Sequence, residues 1–166
     1  TTRLRSLLGK YFGVDGRIVQ GYVLGEHGDS EFVPWSSLTI GNIPIEKFSN
    51  QLEIEWDSAT EKVIADDVKN AAYEVINRKG ATAFSVAAVL ARIVEAFLKD
   101  EKTILSVSTL LNDYYGVSET YLSVPTIVGK NGEKKVLNIE FSEEEKEKFI
   151  SSANIMKEYI DRINEN

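Results

Sequence analysis

Apolar residues recur at helical spacing in four stretches of the chain, and each stretch predicts an amphipathic helix. The predicted helices cover residues 3–12, 58–79 and 83–98, and a final one follows Ser142. In the first, second and last of these helices, the residues expected to face inward are Leu4, Leu7, Leu8 and Phe12; Ile64, Val68, Ala71, Ala72, Val75 and Ile76; and Phe149, Ile150, Ala153, Met156, Ile160 and Ile163.

The ends of these helices carry typical capping residues. The segments 58–61 and 142–145 both fit the Ser-x-x-Glu capping box, and Gly80 follows two cations as a C-cap glycine. Thr82 can cap the third helix. That helix is apolar on more than one face, so we expect it to be buried in the core and to be able to form a subunit contact as well.

β-rich segments lie between and after the helices. Strands are predicted at 18–24, in short pieces within 33–45, and at 103–110, 121–128 and 135–139. Asn131-Gly132 predicts a type I′ hairpin between the last two strands, which indicates an antiparallel meander. Strands and helices do not alternate regularly, so the predicted fold class is α+β, with antiparallel strands packed against long helices.

Composition excludes several classes of protein. The 166 residues contain no cysteine, which rules out disulfides and cysteine-ligated zinc and favours a reducing, cytoplasmic location; no metal site is expected. A net charge of −7 argues against a nucleic-acid partner. The longest apolar stretch, 81–91, is well short of the roughly 20 residues that a membrane span needs. The first residues lack an initiator Met and a signal peptide, so we expect the chain to start inside a longer protein.

His27 is the single histidine, and it lies between Gly25 and Gly28 where a predicted strand ends. An unperturbed imidazole exchanges protons near neutral pH, and the glycines allow the backbone to approach a small ligand. The residues alone leave open an ordinary loop histidine. The chain contains neither a Gly-x-Gly-x-x-Gly motif nor a phosphate-binding P-loop, so a nucleotide would have to be held mainly by another domain.

The segment 23–30, Val-Leu-Gly-Glu-His-Gly-Asp-Ser, resembles the active-site histidine motif of the L-lactate dehydrogenases. Pro34-Trp35-Ser36, Ile40-Gly41 and Lys79-Gly80-Ala81-Thr82 are also similar to that family. The resemblance covers essentially the whole chain. It implies that residues 1–166 are the C-terminal, substrate-binding and catalytic domain of a two-domain NAD-dependent dehydrogenase, without its N-terminal NAD-binding Rossmann domain.

The resemblance also assigns roles to individual residues. His27 would donate a proton to the keto oxygen of pyruvate and take one from L-lactate, an effect typically of about 10²–10⁴-fold. Arg3, 24 residues earlier, would bind the substrate carboxylate. Thr82 would lie beside the substrate side chain, and Val86 near the nicotinamide. The aspartate that orients the histidine in the family would precede Thr1, so we expect the chain alone to be inactive.

Further implications concern regulation and assembly. Arg5 matches a phosphate-binding position of relatives activated by fructose 1,6-bisphosphate, but its partner position carries Gln20 in place of the usual histidine, which argues against this regulation. A homo-oligomer, dimer or tetramer, is expected. Two alternatives remain open at this point: a malate or other L-2-hydroxyacid dehydrogenase domain, and a non-catalytic dimerisation or binding module.

Overall fold

The computed structural model describes residues 1–164, which form five α-helices and two three-stranded antiparallel sheets. The predicted α+β class, with antiparallel strands and long helices, is confirmed. The helices are α1 (Thr2–Phe12), α2 (Ile45–Leu52), α3 (Ser58–Lys79), α4 (Phe84–Leu98) and α5 (Glu143–Asn164). The strands are β1 (Val19–Gln20), β2 (Thr39–Ile40), β3 (Ile43–Pro44), β4 (Thr103–Leu110), β5 (Tyr121–Gly129) and β6 (Gly132–Val136).

The first sheet, in the order β1-β2-β3, packs with α1 and α3 around one hydrophobic core. Helix α1 presents the i, i+4, i+8 positions that its sequence period predicts, and helix α3 contributes two residues one turn apart. The fully or almost fully buried side chains of this core include Leu4, Leu8, Phe12, Val19, Ile40, Ile64 and Val68. The predicted inward faces of α1 and of the first half of α3 are therefore confirmed.

The second sheet, in the order β4-β5-β6, is covered on one face by α5 and forms a separate core. Phe149 and Ala153 of α5 are buried against β5. Leu24 and Phe32, which flank the segment containing His27, belong to this same core. The histidine segment is thus attached to the second core at both of its ends.

Helix α5 begins with the capping box that the sequence predicts. The Glu145 N–H donates to Ser142 Oγ at 3.2 Å, and the Ser142 N–H donates to Glu145 Oε2 at 2.8 Å. The Glu145 carboxylate is 5% exposed, and it also accepts hydrogen bonds from the backbone N–H of Ser36, at 3.0 Å to Oε1, and from the Ser36 hydroxyl. One buried side chain therefore caps α5 and joins it to the 3₁₀ turn Trp35–Ser37.

Replacing Glu145 with alanine is expected to lower the free energy of unfolding by about 2–3 kcal/mol, because the N–H groups of Ser36 and Ser142 both lose a buried acceptor. Glu145→Gln should also destabilise, because an amide NH₂ would replace one of the two accepting oxygens. Urea unfolding measures both changes. The neighbouring exposed Glu144→Ala is the control, with an expected change below about 0.5 kcal/mol; equal losses for Glu144 and Glu145 would contradict this role.

Several predicted boundaries in the N-terminal half are wrong. The strand predicted at 18–24 is reduced to Val19–Gln20 and an isolated bridge at Leu24, because residues 21–23 have no regular strand pairing. Helix α2 was not predicted, since its eight residues follow Pro44 within a segment rich in turn signals. The N-cap of α3 is Asp57, whose carboxylate accepts from the Thr60 N–H at 2.7 Å, one residue before the predicted Ser58.

Two corrections apply to the last hairpin. Strand β6 covers Gly132–Val136 in place of the predicted 135–139, because it pairs with β5 directly after the turn. The predicted hairpin is confirmed, but the prediction of a type I′ turn is wrong. Gly129 pairs with Gly132, and of Asn131 and Gly132 only the glycine has a positive φ, of 94°.

Helix α4 has its predicted position but not its predicted burial. Phe84 is 86% exposed and Leu98 82% exposed, and Ala96 is its one buried residue. Ile76, Ile150 and Ile163, which were predicted to face inward, are also exposed. The apolar faces of these helices are therefore left uncovered by residues 1–164.

The N-cap position of α4 is Ala83, without a side-chain capping bond, so the prediction of Thr82 as the cap is wrong. Residues 81–83 are not helical and separate α4 from Gly80, whose φ is 79°. None of the helices within the described residues is long and apolar enough to cross a membrane.

Candidate functional site

His27 lies in a loop of residues 25–30, here called the histidine loop, which confirms the loop that its glycines predicted but not a continuous strand before it. Two backbone bridges hold the base of this loop. Leu24 and Phe32 exchange hydrogen bonds of 2.9 and 3.0 Å, and Gly25 and Ser123 of β5 exchange bonds of 3.2 and 3.1 Å. The loop is therefore fastened to the second sheet, although His27 itself is exposed.

Two helices also hold the histidine loop. The hydroxyl of Ser152 on α5 accepts from the Glu26 N–H at 2.7 Å, and Lys69 of α3 donates its ammonium to the carbonyl of Asp29 at 2.8 Å. These contacts lie on either side of His27. Neither contact could be predicted from local sequence patterns, since Ser152 and Lys69 are 126 and 40 residues away from their partners.

Beside His27 is a small cavity of about 240 Å³. It is lined by the histidine loop, by β4 and β5, and by Met156 of α5. Ser108, Tyr121 and Ser123 contribute polar atoms to its wall. An imidazole at the edge of a cavity of this kind can exchange a proton with a small polar ligand.

Glu31 is the carboxylate that the structure places in the electrostatic environment of His27. Burial raises the pKa of the Glu31 carboxyl, and the nearby positive charges of His27, the Thr1 amino group and Lys69 oppose that rise. The sequence analysis did not single out Glu31. A carboxyl with a raised pKa beside a histidine is a common feature of functional sites and of structural ion networks.

Arg3 lies in the first turn of α1 and lines a second, larger cavity of about 550 Å³ between α1 and α3. Asp67 and Glu74 of α3 line the same cavity. Within residues 1–164 the Arg3 side chain makes no ion pair and no hydrogen bond that would satisfy its guanidinium. A half-buried guanidinium that is not paired within its own domain is suited to binding a carboxylate bidentately.

The structure does not bring Arg3 and His27 into one cavity. The two residues belong to neighbouring segments, because Thr1 Oγ1 accepts from the Val23 N–H at 3.1 Å and so joins the start of α1 to the strand that leads into the histidine loop. The amino group of Thr1 lies in the electrostatic field of both Arg3 and Glu31.

The remaining predicted site residues lie elsewhere. Thr82 is half-buried in the turn before α4, and Val86 is exposed on the first turn of that helix. Arg5 is half-buried with its Nε enclosed and unpartnered. The Gln20 side-chain oxygen accepts from Thr39 Oγ1 at 3.1 Å. None of these four residues lines either cavity, so their roles stay predictions.

Comparison with known proteins identifies the family. Residues 1–166 match the profile described as "lactate/malate dehydrogenase, alpha/beta C-terminal domain". L-lactate dehydrogenase of Clostridium botulinum (strain 657 / Type Ba4) is 47% identical over 157 residues, which are 95% of this chain and 49% of that protein. The Clostridium perfringens L-lactate dehydrogenase is 44% identical over 96% of this chain and 50% of its own length.

Solved structures agree with these sequence matches. The minor L-lactate dehydrogenase of Enterococcus mundtii in its ligands-bound form superposes with a TM-score of 0.93 and 39% identity, over 98% of this chain and 52% of that one. A lactate dehydrogenase from a Medee basin deep-sea metagenome library also gives a TM-score of 0.93, at 36% identity. The chain thus spans about half the length of the relatives that it matches.

Proposed function

Because this chain belongs to the lactate/malate dehydrogenase family, whose alpha/beta C-terminal domain it matches throughout, we propose that it is the catalytic domain of an NAD-dependent L-lactate dehydrogenase. The two-domain protein would interconvert pyruvate and L-lactate. The observation that carries this proposal is the placement of His27, a proton-exchanging group on a loop fastened to a sheet and to two helices beside a cavity.

His27 would act as the general acid during pyruvate reduction. Reduction of a ketone places negative charge on its oxygen, and a positioned imidazolium neutralises that charge by donating a proton. In the reverse direction the neutral imidazole takes the proton of the L-lactate hydroxyl. The fastened backbone of the histidine loop favours this role, since proton transfer requires a donor held within hydrogen-bond distance.

Arg3 would bind the substrate carboxylate. Its guanidinium is half-buried and unpaired within residues 1–164, and the adjoining start of α1 contacts the segment that leads to His27. Two parallel hydrogen bonds would fix the carboxylate and thereby orient the ketone. In the two-domain protein, the family's orienting aspartate would be the residue before Thr1, whose hydroxyl accepts from the Val23 N–H in the segment that leads to His27.

When bound as NADH, the cofactor would supply the hydride for pyruvate reduction, and as NAD⁺ it would accept the hydride of L-lactate. The residues of this chain fit one edge of that cofactor and not the whole of it. Val86 is 53% exposed on the uncovered apolar face of α4, which suits contact with the flat face of a nicotinamide, and Thr82 lies in the turn just before that helix. The chain has no glycine-rich phosphate-binding motif, so the rest of the dinucleotide would bind to the N-terminal domain.

The uncovered apolar surface of α4 supports the proposal that this domain packs against another domain or subunit. A helix that exposes Phe84, Leu90 and Leu98 requires a further partner, because large contiguous apolar patches are rare on free-standing domains. The missing N-terminal half and a second subunit are the proposed partners, in a cytoplasmic homo-oligomer.

A malate dehydrogenase domain is the second candidate, although Glu26 favours lactate because malate enzymes commonly carry glycine before the histidine. A dimerisation module without activity is the third candidate, and the exposed face of α4 favours it. Substrate preference separates the first two candidates, and any turnover excludes the third.

The proposal is tested by NADH oxidation, followed by absorbance. The two-domain protein should reduce pyruvate in preference to oxaloacetate. The 166-residue chain alone should show no measurable turnover, since most of the cofactor site and the orienting aspartate lie outside it. Preference for oxaloacetate would favour the malate alternative. Turnover by the chain within about tenfold of the two-domain rate, or no turnover by either protein, would contradict the proposal.

A further inference from the structure

Glu26, the residue before His27, belongs to a closed ring of hydrogen bonds through both its backbone N–H and its carboxylate. The backbone N–H of Glu26 donates to Ser152 Oγ at 2.7 Å. The Ser30 hydroxyl donates to Glu26 Oε2 at 2.7 Å, and the hydroxyls of Ser30 and Ser152 are 3.0 Å apart. The ring thus connects the main chain of Glu26 to its own carboxylate through two serines, one on the loop and one on α5.

The chemistry of the groups fixes the direction of every bond in this ring. The Ser30 hydroxyl donates its single proton to the Glu26 carboxylate, so it has none left for Ser152. The contact between the serines must then use the hydroxyl proton of Ser152, with Ser30 Oγ as the acceptor. Each hydroxyl donates once and accepts once, and loss of any member leaves another group unpartnered.

The two glycines around His27 provide the space that the ring occupies. A Cβ on Gly25, which has a φ of 95°, would lie 2.7 Å from Ser152 Oγ. A Cβ on Gly28 would overlap the Glu26 carboxylate. Packing around the Ser152 hydroxyl and the Glu26 carboxylate therefore accounts for four residues of the motif, namely Gly25, Glu26, Gly28 and Ser30.

Ser152 is well placed to transmit the position of α5 to the loop. It is fully buried, and its helix neighbours Phe149 and Ala153 are packed in the second core. Met156, one turn further along α5, lines the cavity beside His27. The backbone at Glu26, one residue before the imidazole, is thus tied to the part of α5 that forms the cavity wall.

We propose that Ser152 is a positioning residue for His27, which holds the imidazole in its working orientation through the hydrogen-bond ring with Glu26 and Ser30. This inference rests on the proposed function of His27. It extends the site to α5, a helix that contributes no proton-exchanging group of its own to the reaction.

The test uses the two-domain protein and the variants Ser152→Ala, Ser30→Ala and the double variant. At saturating pyruvate and NADH, each single variant should slow single-turnover hydride transfer by about tenfold, the factor that corresponds to one lost buried hydrogen bond. The double variant should be within about twofold of either single variant, because the ring is already open. Ser151→Ala, at the adjacent exposed position of α5, is the matched control and should leave the rate unchanged.

Two further measurements distinguish a positioning role of Ser152 from a general loss of protein structure. The affinity for NADH should be unchanged in every variant. Amide hydrogen exchange of the segment containing Glu26 should accelerate about tenfold in Ser152→Ala and stay as in the parent protein in Ser151→Ala. Ser30 lies on the loop and is only half-buried, so Ser30→Ala tests the ring even where Ser152→Ala reduces folding.

An unchanged hydride-transfer rate, unchanged amide exchange, or a parallel loss of NADH affinity would each overturn the positioning role. His27→Asn, measured in the same assay, distinguishes this failure from that of the proposed function. If His27→Asn slows the reaction and the serine variants do not, the ring has no part in positioning. If His27→Asn has no effect, the proposed function itself is wrong.

Discussion

Replacing Arg3 with lysine in the two-domain protein is expected to weaken pyruvate binding by about 2–5 kcal/mol, the usual loss when a buried charged pair is disrupted. Lysine keeps the positive charge but loses the planar fork that donates two parallel hydrogen bonds to a carboxylate. The α1–α3 cavity around Arg3 contains the carboxylates of Asp67 and Glu74, so an ammonium would find competing partners within the domain.

Titration of the NADH complex with pyruvate, or with its unreactive mimic oxamate, measures this loss. Affinity for NADH should remain near that of the parent protein, because the proposed cofactor site lies mainly on the other domain. Arg78→Lys on α3 is the matched control, since Arg78 is exposed and forms an ion pair with Glu74. Equal oxamate affinities of the Arg3→Lys and parent proteins would mean that the carboxylate binds elsewhere.

The parts of the fold that were predicted correctly depend on interactions between residues close in sequence. Helix α1 follows from its apolar period, and the start of α5 follows from the hydrogen bonds between Ser142 and Glu145, three residues apart. The hairpin between β5 and β6 also formed, with its turn at residues 130–131, one position before the predicted pair. Local geometry of this kind is readable because each partner lies within one turn of the other.

The errors arise where the outcome depends on distant contacts. The apolar sequence of α4 indicates that its surface must be covered, but it does not say whether the same domain or another chain provides the cover. The position of β6 depends on its register with β5, and pairing starts directly at Gly132. Helix α2 is short, and packing of residues such as Ile45 in the first core overrides the turn signals around it.

The same distinction applies to the candidate site. The histidine loop was predicted from its own residues, and its glycines gave the correct expectation of a loop. Lys69 and Ser152 were missed because they reach the loop from helices far along the chain. Arg3 and His27 were expected to bind the same substrate. Within residues 1–164 the two side chains line separate cavities.

Replacing His27 with asparagine is expected to slow hydride transfer by about 10²–10⁴-fold, the usual contribution of a positioned general acid. Asparagine keeps a polar side chain on the histidine loop but has no proton to exchange near neutral pH. The anchoring of the histidine loop should be preserved, because the bonds at Glu26 and Asp29 involve main-chain atoms of those two residues. NADH affinity should therefore change little.

Single-turnover reduction of pyruvate by the NADH-loaded two-domain protein tests the central claim most directly, because it isolates the step in which His27 would donate its proton. The absorbance of NADH should decay at least about 10²-fold more slowly in His27→Asn than in the parent protein, with both proteins binding NADH equally well. Decay at the same rate in both proteins would contradict the assignment of His27 as the proton donor.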